Sequence, residues 1–329
     1  MFRPEYIVKP TVNWNQLLQN ENQEVVHIIQ KYADTFKNNK EFWKYVSTNP
    51  NTIHILEKNL DKVNLLYLSI NPNAIHILEK NLDKIDWDEL SGNPNPEAVH
   101  LLEQNLDKVD WPALSGNPNA MHILEKNLDK VDWPALSGNP NAIHILEKNL
   151  DKVDWGELST NPNAIPILEK NLNKVKWRLL SKNPNAIPVL ERNMNKVNWE
   201  SLSSNPNAIH ILEKNLDKVD WPALSGNPNA IHILEKNLDK VYWHVLSGNP
   251  NAIHILEQNM DKLNNKAHWR ELSINPNAIT LLAHLDTKQM RENCKAFAEE
   301  LTATVFHPAR LIRICETYGF DLYQYFELV

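Results

Sequence analysis

The sequence predicts an all-α protein: a right-handed α-solenoid of about 11–12 short two-helix repeats with terminal caps. Three observations predict it. The triplet Asn-Pro-Asn begins at residues 49, 71, 93, 117, 139, 161, 183, 205, 227, 249 and 275, and eight of the ten intervals are 22 residues. The stretch WPALSGNPNAIHILEKNLDK at Trp133 returns letter for letter at Trp221. Within a unit the apolar residues fall on one broad helical face, and the alternation expected of a strand is missing.

Counted from the first Asn of the triplet, positions 4, 5, 7, 8 and 12 are Ala, Ile, Ile, Leu and Leu, and positions 6, 9 and 10 are usually His, Glu and Lys. This is an amphipathic helix. In unit 93 a proline directly follows the second Asn, which suits the first helical position after an Asn cap. Pro166 and Pro188 stand at position 6, where an early helical residue needs no N–H partner. The expected caps are therefore the second Asn of each triplet: Asn73, Asn95, Asn119 and Asn141. The helix should end near the Asn of EKN, a residue that tolerates a left-handed conformation.

A second, shorter helix follows. Asp86 with Glu89, and Asp154 with Glu157, have capping-box spacing, with tryptophan as the first helical residue. Neither helix is long enough to be stable alone in water. Each must bury its apolar face on the neighbouring units.

The flanks complete the organisation. A worn unit at Asn20 reads NENQEVVHIIQ and aligns with NPNPEAVHLLE at Asn93. Residues 1–46 are expected to form an N-terminal cap with this degenerate repeat, 47–284 the tandem repeats, and 285–329 a helical C-terminal cap. That tail holds both cysteines, Cys294 and Cys315, and has helical spacing at Phe297, Leu301 and Val305. Two thiols make no disulfide framework and point to a reducing compartment. No stretch approaches a membrane span, and the start is not of signal-peptide type.

The tandem form NPNAIHILEKNLDKVDW resembles uncharacterised short helical-repeat proteins of giant DNA viruses of the mimivirus kind. The tail VFHPARLIRICETYGFDLYQYFELV resembles the carboxyl-terminal segment of many of them. The repeat pattern is also similar to leucine-rich-variant solenoids, whose units pair an α-helix with a 3₁₀-helix. The viral resemblance brings no catalytic residues. It implies a viral protein of the host cytosol or viral factory, or of the virion.

Candidate chemistry is sparse. Trp87, Trp111, Trp133, Trp155, Trp177, Trp199, Trp221, Trp243 and Trp269 each stand six residues before a triplet. They read as a structural core ladder because Leu65 takes the same place in one unit, so truncation should cost roughly 3–5 kcal/mol. A ladder of aromatic platforms is the competing reading. The histidines at position 6 read as single exposed rings, too far apart to share a metal. Units 161–204 differ in charge. Lys170, Lys174, Lys176, Arg178, Lys182, Arg192 and Lys196 face only Glu169, Glu191 and Glu200, a net +4 in a chain of −7. Lys174, Lys176, Arg178, Lys182, Arg192 and Lys196 form the candidate surface for an acidic partner.

No nucleophile constellation or phosphate loop appears, and no cofactor is expected. The sequence therefore points to a non-enzymatic scaffold that binds a protein partner along one face. Self-association into a virion or factory assembly is the second reading. Nucleic-acid binding through the basic centre ranks third, because the surrounding array is acidic.

Overall fold

The computed structural model describes residues 6–285. The long compact unit spans residues 10–282 and holds twelve helix pairs. Each pair joins a Trp helix, such as Trp133–Gly138, to an Ile helix, such as Ile143–Leu146. Units 1 to 12 are numbered by their Trp helices, from Trp14–Leu17 to Lys266–Ile274. Tyr6–Val8 and Ala283–Leu285 pair antiparallel in a second compact unit. The tail residues Cys294, Phe297, Leu301, Val305 and Cys315 lie outside the described residues.

The all-α repeat architecture matches the sequence pattern, but the helix starts do not. Only Asn95 caps as expected, accepting from Glu97 N–H. Asn73, Asn119 and Asn141 do not cap, and their helices start one residue later than expected, after Ala74, Ala120 and Ala142. In the triplet the first Asn folds back and accepts from the second, as Asn139 Oδ1 does from Asn141 N–H at 3.0 Å. The second Asn then reaches across a unit boundary, Asn141 donating to Pro118 O at 2.8 Å. These bonds do not separate the two cases, since Asn95 makes them too. Unit 93 has two extra residues, Pro96 and Glu97, which extend its helix back to the second Asn. The late start also removes the expected difference in length, and Met121–Lys126 is no longer than Trp111–Gly116. At the other end the Asn of EKN is not left-handed. Asn127 has φ −133° and donates to Ile123 O at 2.8 Å, satisfying a carbonyl of the last turn.

The core runs between the layers. Leu136 of the Trp helix, Ala142 just before the Ile helix, and Ile145 and Leu146 within it are buried, and equivalents repeat in every unit from 4 to 12. Two polar residues are buried with them. Asn139 donates to Ser115 O and Asn117 O of the preceding unit, at 3.0 and 3.1 Å. Ser115 Oγ accepts from Asp132 N–H of the next unit at 3.0 Å. These bonds recur along the array, so units join through satisfied backbone groups as well as apolar contact.

The same bonds join the last unit to the first. Asn20 donates to Ser273 O and Asn275 O, both at 3.0 Å, and Asn13 N–H donates to Ser273 Oγ at 3.0 Å. Asn49 continues the series onto Leu18 O and Asn20 O. The worn unit 1 is thus a full member, and residues 10–282 form a closed ring of units. The Trp helices pack closely on one another around this ring, whereas the Ile helices approach their counterparts less. The more crowded layer of a closed ring is the inner one, so the Trp helices line its interior. With neighbouring helices about 8–10 Å apart, the inner contour is roughly 100–120 Å.

Asn139→Ala is expected to cost about 2–4 kcal/mol, because it leaves Ser115 O without a donor and Asn141 N–H without its acceptor, while Asn117 O keeps only Ala120 N–H. Asn20→Ala should cost a similar amount by urea denaturation. A much smaller loss at Asn20 would show that the ring is open at that junction.

Candidate functional site

The inner layer is built from short elements of four to nine residues with a fixed grammar. An Asp or Asn side chain caps the Trp helix in ten of the twelve units. Asp154, for example, accepts from Glu157 N–H at 2.8 Å. The backbone N–H at this cap position is taken by the serine of the preceding unit, as Asp154 N–H is by Ser137 Oγ at 3.0 Å. That serine also donates back to its own tryptophan carbonyl, Ser137 to Trp133 O at 2.7 Å. The recurrent serine is therefore a joint between units.

The tryptophans correct the sequence reading. Trp87, Trp111, Trp133, Trp155, Trp177, Trp199, Trp221, Trp243 and Trp269 are half-buried rather than core residues, and Trp43 alone is fully buried. The leucine three residues on takes the core place instead. Standing first in a short helix, each indole lies at the rim of its unit. A lysine covers the indole face in units 4 to 10, with Nζ 4.7–5.1 Å from the centroid, as Lys152 over Trp133 at 4.9 Å. Such contacts contribute about 0.5–1 kcal/mol at partly exposed sites.

The histidines are not single rings. His76, His144, His210, His232 and His254 each meet a glutamate of the preceding unit within 2.6–3.0 Å, and His122 meets Glu103 at 3.5 Å. The sequence reading missed these partners because they lie 19 residues upstream, beyond any local window. Both groups are about half exposed, so each pair adds little to stability. Among the described residues, no group of three or more His, Cys, Asp or Glu could hold a metal. No described helix is long and apolar enough to cross a membrane.

The basic centre divides between two surfaces. Lys174, Lys176 and Arg178 line one groove, between units 7 and 8. Arg178 and Lys182 face a second cleft with Glu200, on the inner side. Lys196 covers Trp177, repeating one unit later the place that Lys174 takes over Trp155. Arg192 sits in the outer layer, bonded to Glu169 and to Pro188 O.

One feature of the site escaped the sequence reading. The residue after each tryptophan is never buried, and it is the least constant position of the unit. It reads Asn15, Lys44, Leu66, Asp88, Pro112, Pro134, Gly156, Arg178, Glu200, Pro222, His244 and Arg270 around the ring. The leucine and serine that follow hardly change. The contrast between a fixed frame and this free position was available in the aligned units.

Fold and site together define a closed α-helical repeat protein whose inner layer combines a constant frame with unit-specific side chains. Comparison with protein-family models, with curated proteins and with solved structures finds no match for this chain.

Two outcomes follow from the geometry. Trp133→Ala should cost about 1–3 kcal/mol, less than the roughly 2–5 kcal/mol expected for Leu136→Ala, when both are compared by chemical denaturation. His268 is 8% exposed, and burial, reinforced by His244, holds its imidazole below the ordinary histidine range. A lowered folded-state pKa favours the neutral ring. Its contribution is therefore present above pH 6.5 and is lost as pH falls below that value. His268→Gln should flatten the dependence of Tm on pH on the acid side of neutrality.

Proposed function

We propose that this protein is a non-enzymatic interaction scaffold that binds a protein partner on the inner, Trp-helix layer of its ring. One observation carries the reading. The units keep the buried asparagine joint all round the ring, yet differ at the exposed residue after tryptophan, from Leu66 to Asp88 to Arg178 to His244. A purely architectural ring has no need for different side chains at that place. A binding surface does, because identical units would offer the same contacts everywhere.

The charge of the inner layer favours a protein over a nucleic acid. Lys44, Arg178, Lys182 and Arg270 are balanced there by Asp88, Glu89, Glu157, Glu200 and Glu271. A phosphate backbone would need a clear positive excess. The resemblance to repeat proteins of giant DNA viruses adds a setting, the cytosol or viral factory of an infected host.

Self-association is the second reading, and a specific observation favours it. Leu60, Leu82, Leu128, Leu216, Leu238 and Met260 are exposed at equivalent turns after the Ile helices. They place apolar groups at regular intervals on the ring, where a second ring could stack. Sedimentation of the pure protein separates a monomer from a stack.

The scaffold reading is tested with a triple variant, Asp88→Pro, Glu200→Pro and His244→Pro. Units 5, 6 and 10 already carry proline at this position, so the ring should remain folded. The wild type is expected to retain a protein partner from host extract at defined stoichiometry, and the variant to retain at least about tenfold less. Equal retention by both would rule out the inner layer as the binding surface.

A further inference from the structure

The groove between units 7 and 8 departs from its equivalents in charge. It encloses about 750 Å³ and is lined by Trp155, Asn173, Lys174, Lys176 and Arg178, with Asp154 at one side. The corresponding groove between units 10 and 11 carries Asp220 and Asp239 against Lys240. At units 7 and 8 the second acid is Asn173, and the cap position is Lys176. The one carboxylate left, Asp154, is engaged in capping its own helix.

Lys176 is costly where it stands. It replaces the Asp or Asn that caps the Trp helix in ten units, and no side-chain cap bond forms there. Losing a cap costs about 1 kcal/mol, and a cation in the first turn opposes the helix dipole. A local rule broken without structural gain marks a place where another requirement dominates. The surroundings show what that requirement is. Lys174 is held 4.8 Å from the Trp155 ring, which fixes its ammonium over the groove. Arg178 is 71% exposed, and its Nη2 is 3.8 Å from Glu200, too loose to neutralise it. Three cations thus converge on an aromatic floor.

The run continues into the next groove. There Asn195 and Asn198 again stand where other units have Asp, and Lys196 lies 4.9 Å from Trp177. Adjacent grooves are about 8–10 Å apart, close to three residues of extended chain at about 3.3 Å each.

Resting on the scaffold reading above, we propose that this sector binds an acidic segment of the protein partner, with Lys174, Lys176 and Arg178 taking a carboxylate in the first groove and Lys196 one about three residues further along the segment. A short segment fits the charge distribution better than a long polyanion. Outside units 161–204 the chain carries a net −11, from −7 overall and +4 within them, so a nucleic acid would soon meet acidic surface. An acidic peptide can end where the basic sector ends.

The test uses the full-length protein and fluorescence anisotropy at physiological salt. The probe is a fluorescein-labelled oligoglutamate peptide, with oligothymidylate and inorganic phosphate as competitors. The key variant is Lys176→Asp, which restores the common cap. It should raise Tm by about 2 °C while weakening peptide binding roughly tenfold or more. Tyr242→Asp supplies a cap to the other Trp helix that lacks one among the described residues, also beside a groove, and should raise Tm without changing peptide affinity. The proposal is overturned by any of four results: no saturable peptide binding, unchanged binding by Lys176→Asp, equal weakening by Tyr242→Asp, or tighter binding of oligothymidylate or phosphate than of peptide. Because the probe is supplied directly, this failure is distinct from a failure to retain a partner from extract.

Discussion

A buried asparagine side chain is the constraint on which the ring depends. The first Asn of each triplet is removed from water, and a buried amide without partners would be costly. It is satisfied only when a neighbouring unit supplies two carbonyls and its own turn supplies one N–H, as at Asn139. The serine carbonyl it meets is equally dependent, since Ser115 O lies at the end of the preceding Trp helix without an intrahelical donor. Neither unit can satisfy these groups alone. Interface formation and helix termination are thus one event, which explains how helices of four to six residues persist.

Closure follows the same logic at the array's ends. An open solenoid leaves one unit with an unmatched asparagine and another with unmatched carbonyls, and needs caps to cover them. Here Asn20 meets Ser273 and Asn275, so each end covers the other. The worn sequence of unit 1 retains the groups this junction needs, an Asn at position 20 and an Asn cap at 13. An aromatic cluster of Trp14, Tyr32, Phe36, Phe42 and Trp43 joins units 1 and 2, and Lys62 lies over Trp43 as lysines do over the later tryptophans.

With the frame so determined, the exposed positions are free to vary. The residue after tryptophan makes none of the recurrent joints between units, so Pro, Arg, Glu and His are all accommodated there. The cap position is less free. Ten units keep Asp or Asn, and the two exceptions, Lys176 and Tyr242, both stand beside grooves. Constancy and variation are therefore separable along this chain, because one set of positions holds the ring and another makes no joint.

The sequence by itself determined the repeat, its helical character and its two layers, because period and apolar spacing are local properties. It also exposed the charge anomaly of units 161–204. It misplaced the helix starts at Asn73, Asn119 and Asn141 because it took the cap from unit 93, whose two extra residues lengthen its helix, and carried it to units that lack them. It overrated the burial of the tryptophans, since the lysine that shields Trp133 arrives only at residue 152. Tertiary structure alone decided that the array closes, that the Trp helices face inward, and that Arg192 is separated from the lysines of its own units. Each of these depends on the small turn between successive units, which accumulates over the whole ring and is written in no single repeat.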